Sequence, residues 1–166
     1  MKKICVFVGS RANYSSIKSV MRAVKAHSNL ELQVVLGASA ILDRFGKVED
    51  LIRKDGFEPD FIFHNIIEGD SPSTMAKSTG MGLMDASMIF NNLKPDILVV
   101  VGDRYEMMSV TLAAAYMNIL IVHTMGGEVT GTIDESIRHA ITKFAHIHFP
   151  ANEDSRERII KMGEDE

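Results

Sequence analysis

Short apolar runs alternate with segments of helical periodicity along the chain. The apolar runs are rich in β-branched and aromatic residues and lie at 3–9, 32–39, 61–65, 96–103, 119–126 and 145–151. Such near-continuous apolarity is typical of strands that are covered on both faces. The segments with helical spacing lie at 15–27, 47–55, 73–93, 105–117, 133–144 and 153–162. The pattern therefore predicts six strands and six helices in alternation.

This alternation predicts the fold class. Strands that alternate with helices across short connections form βαβ units and a parallel sheet. Because the crossovers are right-handed, we expect a doubly wound, Rossmann-like α/β domain with helices on both faces. No internal repeat or low-complexity linker interrupts residues 1–166, which predicts a single domain. The stretch 66–82, rich in Gly, Ser and Thr, is predicted to be the most mobile.

Composition narrows the classes of partner. With 46% apolar residues, 24% charged residues and a net charge of -4, the chain is an ordinary globular protein, and we expect no nucleic-acid partner. The apolar run near the start is too short for a signal peptide, and no run reaches the roughly 18 residues of a membrane span. We expect no membrane partner and a cytoplasmic location. Cys5 lies in an apolar strand and is predicted to be buried and inert.

The turn after the first strand is a candidate binding site, because ligands of this fold sit outside the carboxyl ends of the strands. The sequence there is GSRANYSS, residues 9–16. The following helix start offers free N–H groups to an anion, and Arg11 adds a planar cation suited to phosphate. Neither the full G-x-G-x-x-G fingerprint nor a Walker loop is present. Two interpretations stay open. The segment either binds a phosphate or sugar, or Arg11 is a solvated loop residue and Ser10 or Asn13 caps the helix.

The end of the fourth strand carries the second candidate site, GDRYE, residues 102–106. Asp103 lies at the presumed crevice, but an N-cap role for the next helix explains it equally well. Arg104 is expected either to pair with Asp103 or to contact a ligand.

The third candidate is GGEVTGTIDESIRHAITK, residues 126–143, which is dense in ionisable groups. Thr132 and Glu135 have the spacing of a capping box, which predicts a helix start. That interpretation leaves Glu128 and Arg138 unexplained. The i, i+3 spacing of Glu135 and Arg138 predicts that the two lie together, where the carboxylate could act as a base or hold a sugar hydroxyl.

The histidines give a weaker signal. A lone histidine at a strand end, such as His123, is more often a hydrogen-bonded core residue than a catalyst. His146 and His148 share one face of a strand, but no third ligand is evident. The sequence therefore predicts no metal site.

Three blocks of the sequence closely resemble one enzyme family. They are RANYSSIKSVMRAV, GDRYEMMSVTLAAAYMNI and HTMGGEVTGTIDESIRHAITKFAHIHFPANEDS. In order along the whole chain, they resemble the hydrolysing UDP-N-acetylglucosamine 2-epimerases of sialic acid biosynthesis. The resemblance implies a glycosyltransferase-B arrangement of two Rossmann-like domains. This chain would be the N-terminal one, without the C-terminal nucleotide-binding domain.

The resemblance also implies a reaction on UDP-N-acetylglucosamine (UDP-GlcNAc) or a related nucleotide sugar. A base removes the proton at C2 while UDP leaves C1, and water adds to the resulting glycal to give N-acetylmannosamine and UDP. No nicotinamide or metal cofactor is needed for these bond changes. The full-length protein is expected to be a homo-oligomer, a dimer or tetramer. The isolated chain is expected to bind UDP weakly and to turn over negligibly.

Roles carry over to matching positions of this sequence. The implied catalytic residues are Asp103, His123, Glu128, Asp134 and Glu135, and the implied substrate-binding residues are Arg11, Arg104 and Arg138. The chain departs from the family pattern at Met125, where relatives carry Glu, and Glu128 is expected to take over that role. Asn13 and Val101 replace a more usual Asp and His, so a bacillosamine-type UDP sugar stays open as the substrate.

Two rival functions fit the same residues. One is another glycosyltransferase-B half, which would transfer the sugar to an acceptor instead of exchanging its C2 proton. The other is a non-enzymatic nucleotide-binding domain, in which Asp103, Glu128 and Glu135 are only caps and surface charges. Alanine at these three positions would then change the melting temperature but not the activity of the two-domain protein.

Overall fold

The computed structural model describes residues 1–69 and 71–165, and its centre is a six-stranded parallel sheet. The strands are β1 (Lys2–Val8), β2 (Leu30–Leu36), β3 (Phe61–Ile62), β4 (Ile97–Val101), β5 (Leu120–Thr124) and β6 (Ile147–Phe149). Their order in the sheet is β3-β2-β1-β4-β5-β6, and each neighbouring pair is parallel. The order reverses direction between β1 and β4, which is the arrangement of a doubly wound fold. The predicted fold class is confirmed.

The described residues form six α-helices, as the periodicity predicts; five connect successive strands and the sixth follows β6. They are α1 (Arg11–Ala26), α2 (Val48–Lys54), α3 (Pro72–Leu93), α4 (Tyr105–Tyr116), α5 (Ile133–Phe144) and α6 (Glu153–Lys161). The largest difference is at α1, which begins four residues before the predicted start at residue 15. Its N-cap is Ser10, whose hydroxyl accepts a hydrogen bond from the Asn13 N–H at 3.1 Å. Two short 3₁₀ helices, Ala38–Ile41 and Asp43–Phe45, follow β2 and were not predicted.

The start of α3 lies within the stretch 66–82, whose predicted mobility stays a prediction. Residues 72–82 are regular helix, in agreement with the helix predicted over 73–93, and Asp70 lies outside the described residues. The helix is set by a capping box between Ser71 and Thr74, with Pro72 directly inside. A Gly- and Ser-rich composition therefore does not prevent a helix here, because its N-terminus is well capped.

The core consists of one apolar layer on each face of the sheet. Alternate residues of a strand point to opposite faces, so Cys5 and Phe7 enter one layer while Val6 and Val8 enter the other. The first layer packs against α3, α4 and α5, and the second against α1 and α2. Cys5 is fully buried, as predicted, and this burial raises the pKa of its thiol. None of the helices in residues 1–69 and 71–165 is long and apolar enough to cross a membrane.

Candidate active site

A cavity of about 440 Å³ opens where the sheet order reverses, beyond the carboxyl ends of β1 and β4. Arg11 and Arg104, both predicted to bind substrate, line it together with Arg44. The first turn of α1 borders the same space and offers backbone N–H groups. Guanidinium groups beside a helix N-terminus suit a phosphate-bearing ligand.

A larger cavity, of about 550 Å³, lies at the opposite edge of the sheet. Lys2, Ile97 and Leu120, at the beginnings of three strands, line it. Ligands of doubly wound sheets bind at the carboxyl ends of the strands, so the cavity with Arg11 and Arg104 is the candidate binding site.

The start of α4 differs from the sequence interpretation in two ways. Arg104 is the N-cap and the helix begins at Tyr105, so Asp103 does not cap it. Arg104 does not pair with Asp103 either, because its Nε lies 2.8 Å from Oε1 of Glu106. The Glu106 side chain is fully buried, and this burial raises its pKa, an effect that the nearby Arg104 partly offsets.

A buried arginine joins two of the predicted catalytic residues. The Arg138 side chain is only 3% exposed, and its guanidinium donates to the Asp103 carboxylate and, at 2.6 Å, to the backbone carbonyl of Glu128. Asp103 follows β4 and Glu128 follows β5, so the contact ties the ends of neighbouring strands together. Arg138 thus holds the Asp103 carboxylate and the backbone of the Glu128 loop together at this edge of the sheet.

Glu135 does not make the predicted contacts. One of its carboxylate oxygens accepts hydrogen bonds from the N–H groups of Thr130 and Gly131, both at 2.7 Å. These two hydrogen bonds lower the pKa of Glu135. Thr132 is the N-cap of α5, as predicted, but its side chain makes no capping hydrogen bond, so the predicted capping box is wrong. Arg138 does not form the expected ion pair with Glu135 but pairs with Asp103, although its charge contributes to the lowered pKa of Glu135.

The loop that carries Glu128 has a tightly defined path. Met125 adopts a left-handed backbone conformation (φ 62°), which is uncommon for a residue other than glycine. Gly127 has φ 80°, and a Cβ there would lie 2.3 Å from the backbone oxygen of Ser155 in α6. The Arg158 guanidinium of α6 donates to the Gly127 carbonyl. Helix α6 therefore supports the loop directly and fixes where Glu128 emerges.

His123 is a fully buried, hydrogen-bonded residue. Its Nε2 lies 2.8 Å from the Gly102 carbonyl, and its Nδ1 lies 3.3 Å from Oγ1 of Thr142. Burial lowers the pKa of His123 to about 4, although the hydrogen bond to Gly102 works against it. The imidazole is therefore neutral at pH 7 and connects β4, β5 and α5, while its catalytic role stays a prediction.

The other histidines serve local contacts. His146 accepts a hydrogen bond from the Ile121 N–H at 3.2 Å, and His148 lies 3.5 Å from Glu164. Across the described ranges, no three His, Cys, Asp or Glu side chains are grouped so that they could hold a metal ion.

The sequence model of the UDP-N-acetylglucosamine 2-epimerases matches residues 22–166. The chain belongs to this family. It is 34% identical over its whole length to the UDP-N,N'-diacetylbacillosamine 2-epimerase (hydrolyzing) of Legionella pneumophila, of which it covers 44%. It is also 34% identical to the GDP/UDP-N,N'-diacetylbacillosamine 2-epimerase (hydrolyzing) of Campylobacter jejuni, with 99% of this chain and 43% of the relative covered.

Solved structures of the epimerase family share the fold. The UDP-GlcNAc 2-epimerase of Neisseria meningitidis bound to UDP-GlcNAc superposes with a TM-score of 0.83 at 21% identity, over 97% of this chain and 43% of that one. These family members have a glycosyltransferase-B-like fold, and the chain corresponds to its N-terminal part. The chain thus spans less than half the length of the epimerases that it matches.

One charged residue of this epimerase-family domain escaped the sequence interpretation. Glu106 lies in the first turn of α4, where an acidic residue is ordinarily explained by the helix dipole. The sequence did contain one signal for Glu106. The residue belongs to GDRYE, the segment that directly follows an apolar strand run, and lies two residues after Arg104. Its complete burial depends on the packing of α4 against the turn after β1, which the local sequence does not reveal.

Proposed function

We propose that this chain is the N-terminal domain of a hydrolysing 2-epimerase that acts on a UDP-linked 2-acetamido sugar. With UDP-GlcNAc the products are N-acetylmannosamine and UDP. Family membership supports the proposal, and the observation that carries it is the contact of Arg138 with both Asp103 and the Glu128 carbonyl. This contact gathers acidic residues from two strand ends at the edge where ligands of this fold bind.

The proposed reaction has two steps. In the first, a base takes the proton from C2, a double bond forms between C1 and C2, and the bond from C1 to the diphosphate oxygen breaks, which releases UDP. In the second, a water molecule adds its hydroxyl to C1, and an acid returns a proton to C2 from the opposite face of the ring. The sum is hydrolysis at C1 with inversion at C2.

Inversion at C2 requires proton transfer on both faces of the sugar ring. Asp103 and Glu128 suit this requirement, because they project from different strand ends and share the Arg138 anchor. We assign the two proton transfers to this pair. Asp134 is close enough for its negative charge to act on both Arg104 and Glu106, and we place it beside the substrate phosphates and sugar. Glu135, which binds the loop N–H groups, is assigned to holding that loop.

The chemistry of the relatives supports the choice of substrate. The Legionella relative is named for UDP-N,N'-diacetylbacillosamine, and the Neisseria structure holds UDP-GlcNAc. Both ligands combine UDP with an acetamido group at C2. Arg11 and Arg104, which face the same cavity, are proposed to contact the anionic part of such a molecule.

We also propose that the remaining length of the relatives supplies the other wall of the site. Departure of UDP develops charge on the diphosphate, and donors stabilise that charge most strongly in a closed, dry cleft. The cavity of this chain is partly open to solvent. Alone, residues 1–166 are therefore expected to turn over far more slowly than the roughly 1 per second of ordinary enzymes.

Proton NMR of the nucleotide sugar in D₂O tests the proposal. Two proteins are compared: residues 1–166, and a hybrid in which the unmatched C-terminal part of the Legionella relative follows them. Both UDP-GlcNAc and UDP-N,N'-diacetylbacillosamine are supplied, and cooperative thermal unfolding establishes beforehand that the hybrid is folded. Deuterium at C2 together with free UDP, in the hybrid only, is the expected result. Transfer of the sugar to an acceptor without C2 exchange would favour a transferase and would contradict the proposal.

A further inference from the structure

Glu106 is a buried acid that the proposed reaction does not use. Its side chain is 0% exposed, and its one ion pair in the part of the chain that the structure describes is with Arg104, whose Nε lies 2.8 Å from Oε1. Burial of a carboxylate with a single charged partner costs stability unless the geometry of the pair is excellent. Glu106 therefore invites an explanation other than stability of the fold.

The position of Glu106 connects it to the candidate binding cavity. A Cβ at Gly9 would lie 3.2 Å from Cγ of Glu106, so the first turn of α4 packs directly against the turn after β1. The next residue along that turn, Ser10, lines the cavity, and so do Arg104 and Tyr105. Glu106 thus lies immediately behind the cavity wall that these residues form.

We propose that Glu106 is a positioning residue whose buried carboxylate fixes the Arg104 guanidinium at the cavity. The Arg104 side chain is 52% exposed while Glu106 is fully buried, so one side of the guanidinium meets the carboxylate and the other stays open to a ligand. The Arg104 guanidinium also lies 5.8 Å from the centre of the Tyr105 ring, a second contact that limits its motion. The inference rests on the proposed function, because it assigns Arg104 to the phosphates of the nucleotide sugar.

A second carboxylate shows why this positioning matters. Burial lowers the pKa of Arg104, but the negative charges of Glu106 and Asp134, together with the adjacent Tyr105, raise it above its ordinary value. Asp134 is therefore a second negative charge that attracts Arg104. In the proposal, loss of the Glu106 charge would free the guanidinium to move from the cavity toward Asp134.

The substitution Glu106→Gln distinguishes a purely structural ion pair from a positioning role. If the pair only stabilised the fold, Glu106→Gln would lower the melting temperature and leave substrate affinity unchanged. In the positioning role, Gln removes a buried charge but not the shape of the side chain, so stability does not fall. Substrate affinity falls nevertheless, because Arg104 loses its fixed orientation.

The experiment measures KM and kcat of the hybrid protein with the better of the two UDP sugars. Glu106→Gln is expected to raise KM about tenfold, the scale of one charge-assisted hydrogen bond, and to change kcat less. Glu106→Asp, which keeps the charge, is expected to recover part of the loss. In the double variant with Arg104→Gln, KM is expected to equal that of Arg104→Gln alone, since the two residues act as one unit. Glu49→Gln breaks an Arg–Glu pair on α2 and is the matched control, with no change expected.

The outcomes separate the two proposals. An active hybrid whose KM is unaffected by Glu106→Gln would overturn the positioning role and leave the proposed function standing. A folded hybrid without activity on either UDP sugar would overturn the proposed function. In that case the Kd of residues 1–166 for UDP, measured by NMR titration, decides the role of Glu106. Weaker UDP binding in both Arg104→Gln and Glu106→Gln would support it, and unchanged binding in Glu106→Gln would overturn it.

Discussion

Arg138 contacts Asp103 across 35 residues of sequence and joins the end of β4 to the loop that follows β5. The guanidinium is 3% exposed and also donates to the Glu128 carbonyl, so one side chain organises both proposed proton-transfer groups. Arg138 lies on the buried face of α5, and from there it holds the segments that follow β4 and β5 in a fixed position relative to each other.

Replacement of Arg138 by Gln is expected to destabilise the domain by about 3 kcal/mol, as is usual when one partner of a buried ion pair is removed. The change leaves Asp103 without its cation and the Glu128 carbonyl without its donor. Urea unfolding of residues 1–166 measures it. Arg156→Gln, at an exposed site on α6, is the control and should cost less than about 1 kcal/mol. Equal midpoints for both variants would show that the Arg138 contact does not support the fold.

Asp103→Asn and Glu128→Gln are each expected to reduce C2 exchange by the hybrid by a factor of about 10²–10⁴, the usual contribution of a general acid or base. Glu128→Gln keeps the side-chain shape and should change the melting temperature little, whereas Asp103→Asn also removes the counter-charge of the buried Arg138 and should lower it. Proton NMR in D₂O gives the rate, and thermal unfolding gives the stability. If both variants exchange at the wild-type rate, the rival interpretation of these residues as caps and surface charges gains support.

The pH dependence of stability should reveal the burial of Glu106. Its pKa is raised in the folded chain, so the folded state binds more protons than the unfolded state between the ordinary glutamate pKa and the raised one. Stability from this group therefore falls as the pH rises through that window, from about 4.3 upward. Glu106→Gln removes the effect, and its advantage in the free energy of unfolding should grow as the pH increases. A constant difference between pH 4 and 8 would contradict the prediction.

His123 has the opposite effect on the pH dependence of stability. Its pKa is lowered to about 4 in the folded chain, so the unfolded state binds more protons at pH values between 4 and an ordinary histidine value of about 6.5. Stability from this group is fully present above that ordinary value and is lost as the pH falls toward 4. The ring-proton NMR signal of His123, assigned through His123→Gln, should stay constant from pH 7.5 to 5.5. A titration midpoint above about 6 would show that the imidazole is not held neutral.

The sequence predicted the elements well because their signals are local. The near-continuous apolarity of β1 and β4 follows from burial on both faces, and α5 begins at Ile133 as the pattern indicates. The partners of charged residues were predicted poorly. Glu135 was expected beside Arg138 on helical spacing, yet the loop N–H groups of Thr130 and Gly131 bind it at shorter range.

The distinction between local signals and packing contacts also explains why the partner of Arg104 was not predicted. Arg104 was considered a partner of its neighbour Asp103, whereas Glu106 turns inward and takes the guanidinium. That choice depends on the space left by Gly9 in a different strand connection. Contacts between distant segments depend on packing, and the spacing of residues along one segment does not reveal them. The sequence therefore indicated charged residues at the strand ends but not the groups that they contact.

Gly127 provides a test of how the Glu128 loop is supported. Gly127→Ala places a Cβ 2.3 Å from the backbone oxygen of Ser155 and forces a φ of 80° on a residue with a side chain. Gly131→Ala in the same loop imposes a similar φ, 71°, but its Cβ meets no atom within 4 Å. The control should therefore cost about 1–2 kcal/mol, the penalty of a left-handed conformation alone.

Gly127→Ala should cost clearly more than this control and should also slow C2 exchange, because the loop must move away from α6 and carry Glu128 with it. Urea unfolding of the two variants measures the first effect, and proton NMR of the hybrid in D₂O measures the second. Similar losses of stability in both variants would mean that α6 does not fix the loop, and the position of Glu128 would then depend on Arg138 alone.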